Sequence, residues 1–131
     1  MLFERATVYG ILALAYMAKQ ETDAPQRVDI IAREADLPRV YLRKLMDQLT
    51  DARLLTRGHA GRLKLARLPR QITLLQIVEA IEGPVDPVWV LIDDLVSGHG
   101  AAARGLDRWR QRTAKQMRTM LEETTLGDFS A

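Results

Sequence analysis

The stretch Pro38–Asp51 (PRVYLRKLMDQLTD) decides how the rest of the chain is interpreted. Its apolar residues recur at i, i+3, i+4 and i+7, the spacing of one face of an α-helix: Leu42, Leu45, Met46 and Leu49. The positions between them carry long polar side chains that suit the solvent-facing side of such a helix: Arg39, Tyr41, Arg43, Lys44 and Gln48. Pro38 suits the first helical position, because its missing N–H removes no hydrogen bond there.

A shorter helix is predicted immediately upstream, over Val28–Asp36, with Ile31 and Ala35 one turn apart on its buried side. Leu37 and Pro38 break the chain between the two helices. Two short helices joined by a turn of three or four residues form a helix-turn-helix motif. The second helix of such a motif enters the major groove of DNA, so the pattern indicates a DNA-binding domain.

A β-hairpin is predicted directly after the second helix. Leu54–Arg57 is expected to form one strand, and residues 58–61 (GHAG) a tight turn whose glycines supply the positive φ that it needs. Arg62–Arg67 alternates charged and apolar residues, the period of a half-buried strand. A hairpin in this position is the wing of a winged-helix domain. Its tip carries cationic and imidazole side chains that would reach phosphates or a neighbouring minor groove: Arg57, His59 and Arg62.

Positive charge is concentrated on these elements. The 131-residue chain has a net charge of only +2, but residues 38–70 contain nine basic and two acidic residues, which gives +7. Residues 71–131 contain six basic and nine acidic residues, which gives −3. A DNA partner requires such a distribution, whereas a merely solvated basic surface would not have to coincide with a helix-turn-helix and its wing.

Length and composition exclude several other classes of protein. The length allows one domain, or one domain with an association element, and 47% of the residues are apolar. No apolar run approaches the roughly eighteen residues of a membrane span, and the N-terminus has no signal-peptide pattern. Since the chain has no cysteine, disulfides, thiolate nucleophiles and cysteine-ligated clusters are excluded. We therefore expect a cytoplasmic protein.

The flanking segments are predicted to be helical. Phe3–Ala18 is apolar on nearly every side, so we expect it to contact both the winged-helix core and a partner subunit. Thr73 is a plausible N-cap of a helix that runs to about Glu82 and ends at Gly83. The core stripe of this helix is Leu74, Ile77, Val78 and Ile81.

The C-terminal third contains a short apolar segment, Val88–Val96, and a long predicted helix from Ala101 to about Thr124. A long amphipathic helix after a complete small domain usually buries its stripe against another chain, so we interpret it as a dimerisation helix; packing back on its own domain is the alternative. The stripe of the long helix consists of Leu106, Trp109, Thr113, Met117, Met120 and Leu121. After this helix, Leu126–Phe129 is expected to fold back as a short tail.

The expected fold class is mainly α (α+β), with a winged helix-turn-helix over residues 1–85 and a sensor-like segment with the dimerisation helix over residues 86–131. Several motifs spread over most of the chain support it: Thr7–Gly10, Ile31–Ala32, Arg39–Leu45, Arg57–Gly61, Leu65–Arg67, Ile72–Leu74, Val78–Gly83, Leu121 and Thr125–Phe129. Together these motifs resemble the Rrf2 family of bacterial transcriptional regulators. The resemblance implies a homodimer that binds pseudo-palindromic double-stranded DNA.

The resemblance also implies roles for individual residues. Arg39, Tyr41 and Arg43 would lie at base edges and Lys44 on phosphate. Arg57, which belongs to the Arg-Gly motif of the family's wing, would enter the minor groove.

The chain departs from the family pattern at several positions. Many members bind an iron–sulfur cluster through three cysteines in the segment that corresponds to about Val88–Leu106, and this chain has none. Val8 stands where an aspartate of the first helix can be a further ligand, and Arg62 replaces the second glycine of the wing. Arg27 and Pro38 replace the usual serine caps, so we expect weaker capping at Arg27, by about 1 kcal/mol. These departures predict a regulator without a cofactor.

Enzymatic chemistry is not indicated. His59 and His99 have no cysteines or convergent carboxylates near them in the sequence, so a zinc site is not predicted, and no phosphate-binding glycine motif is present. A metal or haem sensor that uses either histidine, and a winged helix used only for protein interaction, are the alternative functions. Four apolar side chains lie in the segment that holds the cluster in relatives: Trp89, Leu91, Ile92 and Leu95. The plainer interpretation is that they form core or dimer contacts. A further hypothesis is that they line a pocket for a small-molecule effector or bind a protein effector.

Overall fold

The computed structural model describes residues 3–20, 24–85 and 99–129. Its regular elements in chain order are α1 (Arg5–Lys19), α2 (Val28–Glu34), α3 (Arg39–Asp51), β1 (Leu55–Arg57), β2 (Leu63–Leu65), α4 (Leu74–Glu82) and α5 (Gly100–Glu123). Short 3₁₀ helices lie at His59–Gly61, Pro69–Gln71 and Leu126–Phe129. The predicted fold class, mainly helical with a winged helix-turn-helix and a long C-terminal helix, is confirmed. No helix of the described ranges is long and apolar enough to cross a membrane.

The helix-turn-helix consists of α2 and α3. All four stripe residues of α3 are buried, as predicted, and Ile31 of α2 is buried with them. Pro38 was interpreted from the helical spacing as the first helical residue, which is wrong, and from the family resemblance as the replacement of a serine cap, which is confirmed. It is the N-cap, with extended backbone at ψ 118°, and its carbonyl accepts the Leu42 N–H at 2.9 Å, as the carbonyl of an N-cap does. No side chain caps α2 at Arg27 or α3 at Pro38.

The wing is a two-stranded antiparallel hairpin in which Leu55 pairs with Leu65 and Arg57 with Leu63. Its strands are shorter than the predicted ones. The turn between them uses left-handed backbone at Ala60 (φ 57°) and Gly61 (φ 73°). Leu63 also exchanges backbone hydrogen bonds with Gln26, at 2.6 and 2.7 Å, so the base of the wing is tied to the residues that lead into α2.

The core lies between α1, the helix-turn-helix, the wing and α4. Thr73 caps α4 as predicted: its hydroxyl accepts the Gln76 N–H at 3.1 Å, while the Gln76 side chain accepts the Thr73 N–H at 3.0 Å. Gly83 ends the helix at φ 87°. Ile81 is only half-buried. On α1, the side facing away from the core stays exposed, at Val8 (42%) and Leu12 (49%).

The C-terminal residues return to the first part of the chain, as expected for Leu126–Phe129. Leu126 is buried, and its N–H donates to the Ile72 carbonyl at 2.8 Å. The N–H of Leu74 donates to the Thr124 carbonyl at 2.9 Å. These bonds place the end of α5 beside the start of α4. The predicted helix Val88–Val96, with its effector-pocket residues Trp89, Leu91, Ile92 and Leu95, lies outside the described residues.

Candidate nucleic-acid interface

One face of α3 is exposed along its whole length. Exposed side chains recur at i, i+4, i+7 and i+11 on the side opposite the buried stripe, and we call this row the crown: Val40, Lys44, Asp47 and Asp51. The row changes character along the helix. Its N-terminal half is apolar and cationic, and its C-terminal half carries two carboxylates. Since phosphates repel carboxylates, the first two turns of α3 are the end suited to approach DNA.

A cleft lies between α3, the wing and the start of α2. Arg39 and Arg43 follow each other by four residues on the flank of α3 that lines it, and Asp47 comes four residues later. Such spacing places side chains next to each other on a helix. The cleft contains four guanidinium groups and two carboxylates: Arg27, Arg39, Arg43, Arg57, Asp29 and Asp47. Three of these residues are not among those predicted from the sequence to bind DNA: Arg27, Asp29 and Asp47.

An ion pair joins the wing to α3 across this cleft. The Arg57 guanidinium, at the end of β1, donates to a carboxylate oxygen of Asp47. Both side chains are accessible to water, at 43% and 65% exposure, so the pair contributes little stability. The ion pair instead positions Arg57. It holds this side chain, which is expected to enter the minor groove, against α3, which is expected to enter the major groove.

The seven residues predicted to bind DNA occupy different positions. Arg39, Arg43 and Arg57 line the cleft, and Lys44 lies on the crown. His59 and Arg62 are exposed at the wing turn.

Tyr41 lies on the flank of α3 nearer α1. Its ring meets the Tyr9 ring edge to face, with centroids 5.8 Å apart, and 40% of it remains exposed. The aromatic pair therefore forms one of the contacts between α1 and α3. The periodicity of α3 separates Tyr41 from the buried stripe, but it does not show which helix lies beside it.

The predicted dimerisation stripe of α5 divides between two faces. Leu121 is 6% exposed and belongs to the core of its own chain, on the face that packs against α4. On the same face, the Arg118 guanidinium donates to the Glu79 carboxylate at 3.1 Å. The other stripe residues form a second face, on which Thr113 and Met117 are half-buried and three side chains are well exposed: Leu106 (39%), Trp109 (50%) and Met120 (68%).

Comparison with known proteins identifies the family. Residues 3–131 match the family Rrf2, described as an iron-dependent transcriptional regulator. This chain belongs to the Rrf2 family. Among Rrf2-family relatives, it is 32% identical to the HTH-type transcriptional regulator CymR of Bacillus subtilis, across 94% of this chain and 85% of that protein.

Solved structures agree with this assignment. CymR, the global cysteine regulator of B. subtilis, has a TM-score of 0.79 at 28% identity, covering 99% of this chain and 96% of that one. T. potens IscR has a TM-score of 0.70 at 25% identity, covering 98% and 85%. The resemblance stated from the motifs is thereby confirmed, and with it a DNA-binding transcriptional regulator. The Rrf2 family is not enzymatic, in agreement with the prediction.

The donor atoms of this Rrf2-family chain do not fit an iron–sulfur cluster. Such clusters are held mainly by cysteine thiolates, and the sequence has no cysteine. Among the residues that the structure describes, no group of three or more histidines, aspartates and glutamates is close enough to hold a metal. Val8, at the position of an additional family ligand, offers only methyl groups.

Proposed function

We infer that this protein is a homodimeric, cluster-independent transcriptional repressor that binds a pseudo-palindromic operator in the bacterial cytoplasm and occludes it sterically. The observation that carries the DNA-binding part is the cleft between α3 and the wing. It brings Arg39 and Arg43 of the recognition helix together with Arg57 of the wing. A major-groove element and a minor-groove element thus present cations to one side of the molecule.

The contacts fall into two classes. Lys44 and the wing-tip residues His59 and Arg62 supply phosphate contacts, which provide most of the affinity and make it steeply dependent on salt. Arg39 and Arg43 supply direct readout, because a guanidinium can donate two hydrogen bonds to the O6 and N7 atoms of guanine. Each good pair of this kind contributes roughly 1–3 kcal/mol of discrimination.

The spacing of the second face of α5 supports a two-fold dimer. Its residues are separated by three, four, four and three positions, so the pattern is symmetric about Thr113: Leu106, Trp109, Thr113, Met117 and Met120. In an antiparallel crossing with Thr113 on the axis, Leu106 lies opposite Met120 of the partner subunit. Trp109 then lies opposite Met117 of the partner subunit, a favourable sulfur–aromatic pairing. A small residue at the crossing point allows the helices to approach closely.

The inference that the protein works without an iron–sulfur cluster rests on the side chains that it offers as ligands. Without thiolates, the chain cannot hold the cluster in the way its relatives' motif requires. The DNA affinity of the purified protein is therefore expected to be the same after aerobic and anaerobic purification, and its absorbance spectrum is expected to show no visible band.

The DNA-binding proposal is tested with operator fragments selected from the source genome. In gel-shift titrations, Arg39→Ala and Arg57→Ala are expected to abolish specific binding, whereas Arg104→Ala, an exposed cation of α5, leaves it intact. Sedimentation must show that all three variants remain dimers. Unchanged affinity of both interface variants rejects the docking arrangement, and no retention on any duplex at low salt favours a protein-interaction module instead. Repression is read from in vitro transcription with the selected operator placed over the promoter.

The dimer is tested separately at its proposed axis. Thr113→Arg brings two like charges together, so it is expected to shift the sedimentation coefficient to that of a monomer. Thr119→Arg is the matched control, because residue 119 is exposed outside the second face. A dimer that tolerates Thr113→Arg as well as Thr119→Arg excludes this crossing.

A further inference from the structure

Val40 is the most exposed large apolar side chain in the described part of the molecule, at 84%. Single exposed aliphatic residues are common on protein surfaces, so exposure alone assigns nothing. The position is what distinguishes Val40. Val40 lies in the first turn of α3, the second helix of the helix-turn-helix, at the N-terminal end of the crown and close to Arg39, Arg43 and Lys44.

The geometry of α3 directs this residue toward the bases. Val40 is the second residue of the helix, and the N-terminal residues of a recognition helix are those that contact base edges. It projects from the side opposite the buried stripe, with Arg39 and Arg43 on the flank that lines the cleft and Lys44 one turn further along the crown. If those cations contact phosphates or guanines, the side chain beside them faces the floor of the major groove. Asp51, at the C-terminal end of the crown, repels phosphates there, while Asp47 is paired with Arg57.

The chemistry of the groove then selects one partner. The major-groove edges of guanine, adenine and cytosine present hydrogen-bonding groups, and thymine alone adds an apolar group, its C5 methyl. A valine covering a donor or acceptor would remove its water without replacing the hydrogen bond, which is unfavourable. We propose that Val40 reads a thymine in each half-site through its C5 methyl group and thereby determines specificity. This inference rests on the proposed DNA-binding function and adds a base contact to it.

The expected effect follows from the area of one methyl group. Removing a buried methyl from an apolar contact lowers the affinity by about fourfold. A dimer makes the contact twice, so the loss of both methyls from a symmetric operator is expected to lower the affinity by about sixteenfold, if the half-sites are independent.

The experiment removes the methyl group from the DNA first. Each thymine of the selected operator is replaced, one position at a time, by deoxyuridine, which keeps every hydrogen-bonding group and lacks only the C5 methyl. Affinities of the full-length protein are measured by fluorescence anisotropy at fixed salt. We expect one thymine per half-site to show the fourfold loss and the remaining thymines to show none.

Two variants that differ by a single methyl complete the test. Val40→Thr keeps one of the two γ-methyls and Val40→Ser keeps none, while both carry the same hydroxyl. The preference for thymine over deoxyuridine is expected to be reduced in Val40→Thr and absent in Val40→Ser. Because residue 40 is exposed, both variants are expected to match the wild type in circular dichroism and melting temperature.

The outcomes separate this inference from the function on which it rests. Specific, salt-dependent binding without any deoxyuridine effect refutes the Val40 assignment and leaves the regulator intact. A deoxyuridine effect that persists unchanged in Val40→Ser also refutes it, since another residue then reads the methyl. Absence of specific binding by the wild-type protein to any duplex refutes the proposed function, and the base contact with it.

Discussion

The wing arginine offers the sharpest test of the interface, through the variant Arg57→Ala. In the free protein its ion pair with Asp47 is exposed on both sides, at 43% and 65%. Exposed pairs contribute about 0–1 kcal/mol, and 1 kcal/mol corresponds to a change of roughly 3–5 °C in melting temperature for a chain of this size. The variant is therefore expected to fold, to remain a dimer and to melt within a few degrees of the wild type.

The effect on DNA binding is expected to be much larger, and in Arg57→Ala it is measured on the binding that remains after specificity for the operator is lost. Each phosphate charge that a bound cation neutralises contributes about 0.9 to the slope of log affinity against log salt concentration. In the minor groove Arg57 is taken to neutralise one such charge in each of the two wings of a dimer. Arg57→Ala should therefore reduce the magnitude of the slope by about 1.8. Between 50 and 200 mM salt, the wild type should lose about twelvefold more affinity than the variant.

Asp47 adds a second, separable contribution. In Arg57→Ala the negative charge of the Asp47 carboxylate is no longer compensated by a cation and repels the DNA. The affinity of the variant is therefore lowered by this repulsion as well as by the loss of the Arg57 contact. Asp47→Asn in the Arg57→Ala background is expected to recover about two- to fivefold in affinity per subunit. It should not restore the slope, because no phosphate contact is regained.

Fluorescence anisotropy with a labelled operator, titrated at several salt concentrations, measures both the affinity and its slope against salt concentration. Arg104→Ala serves as the control for a general loss of positive charge. A slope in Arg57→Ala equal to that of the wild type would show that Arg57 does not neutralise a phosphate. If Asp47→Asn recovers no affinity in the Arg57→Ala background, the Asp47 carboxylate lies too far from the DNA phosphates to be repelled by them.

Three further predictions concern the scaffold behind the interface. Glu82→Ala removes the carboxylate that accepts the buried Thr7 hydroxyl and the Glu4 N–H, so urea denaturation should show a loss of about 2–3 kcal/mol; recovery is expected when Thr7→Val removes the orphaned hydroxyl, and strict additivity would contradict this. In Gly10→Ala the new Cβ would lie 2.6 Å from the Ile81 Cδ1 atom. Calorimetry should find Gly10→Ala stabilising by up to about 1 kcal/mol in the Ile81→Val background, and less stabilising in the wild-type background, where the Ile81 Cδ1 atom has to move; equal effects in both backgrounds would exclude the contact. Thr73→Ala should lower the melting temperature by roughly 3–5 °C through loss of its cap of about 1 kcal/mol, and an unchanged value would contradict that role.

The helix-turn-helix could be predicted from sequence because its evidence is local. The four-residue stripe of α3 shows which side is buried, and glycine at the wing turn shows where the chain reverses. The N-cap of α4 was predictable for the same reason, since Thr73 and Gln76 satisfy each other within one turn. Pro38 was misplaced by one position because N-cap and first helical residue differ only in ψ, which no side-chain pattern reports.

The composition of the interface could be predicted only in part. The sequence indicates that the cations of residues 38–70 share exposed faces, but Asp47 and Arg57 come together only when the wing folds back onto α3. The family resemblance would place Tyr41 at base edges, and the sequence did not indicate that its ring also contacts Tyr9 of α1 while 40% of it stays exposed. Helical periodicity identifies residues that share a face and does not identify the element that packs beside that face.

By itself, the sequence determined the order of helices and strands, the concentration of positive charge on the recognition helix and wing, and the lack of thiolate ligands. Each of these is a property of residue type or of neighbours within a few positions. Tertiary structure alone decided that Glu82 bonds to the N-terminal end of α1, 75 residues away from Thr7, and that Leu121 lies in the core while Met120 is 68% exposed. The physical reason is that such contacts depend on which surfaces meet when the whole chain closes, and adjacent positions of one helix point to different neighbours.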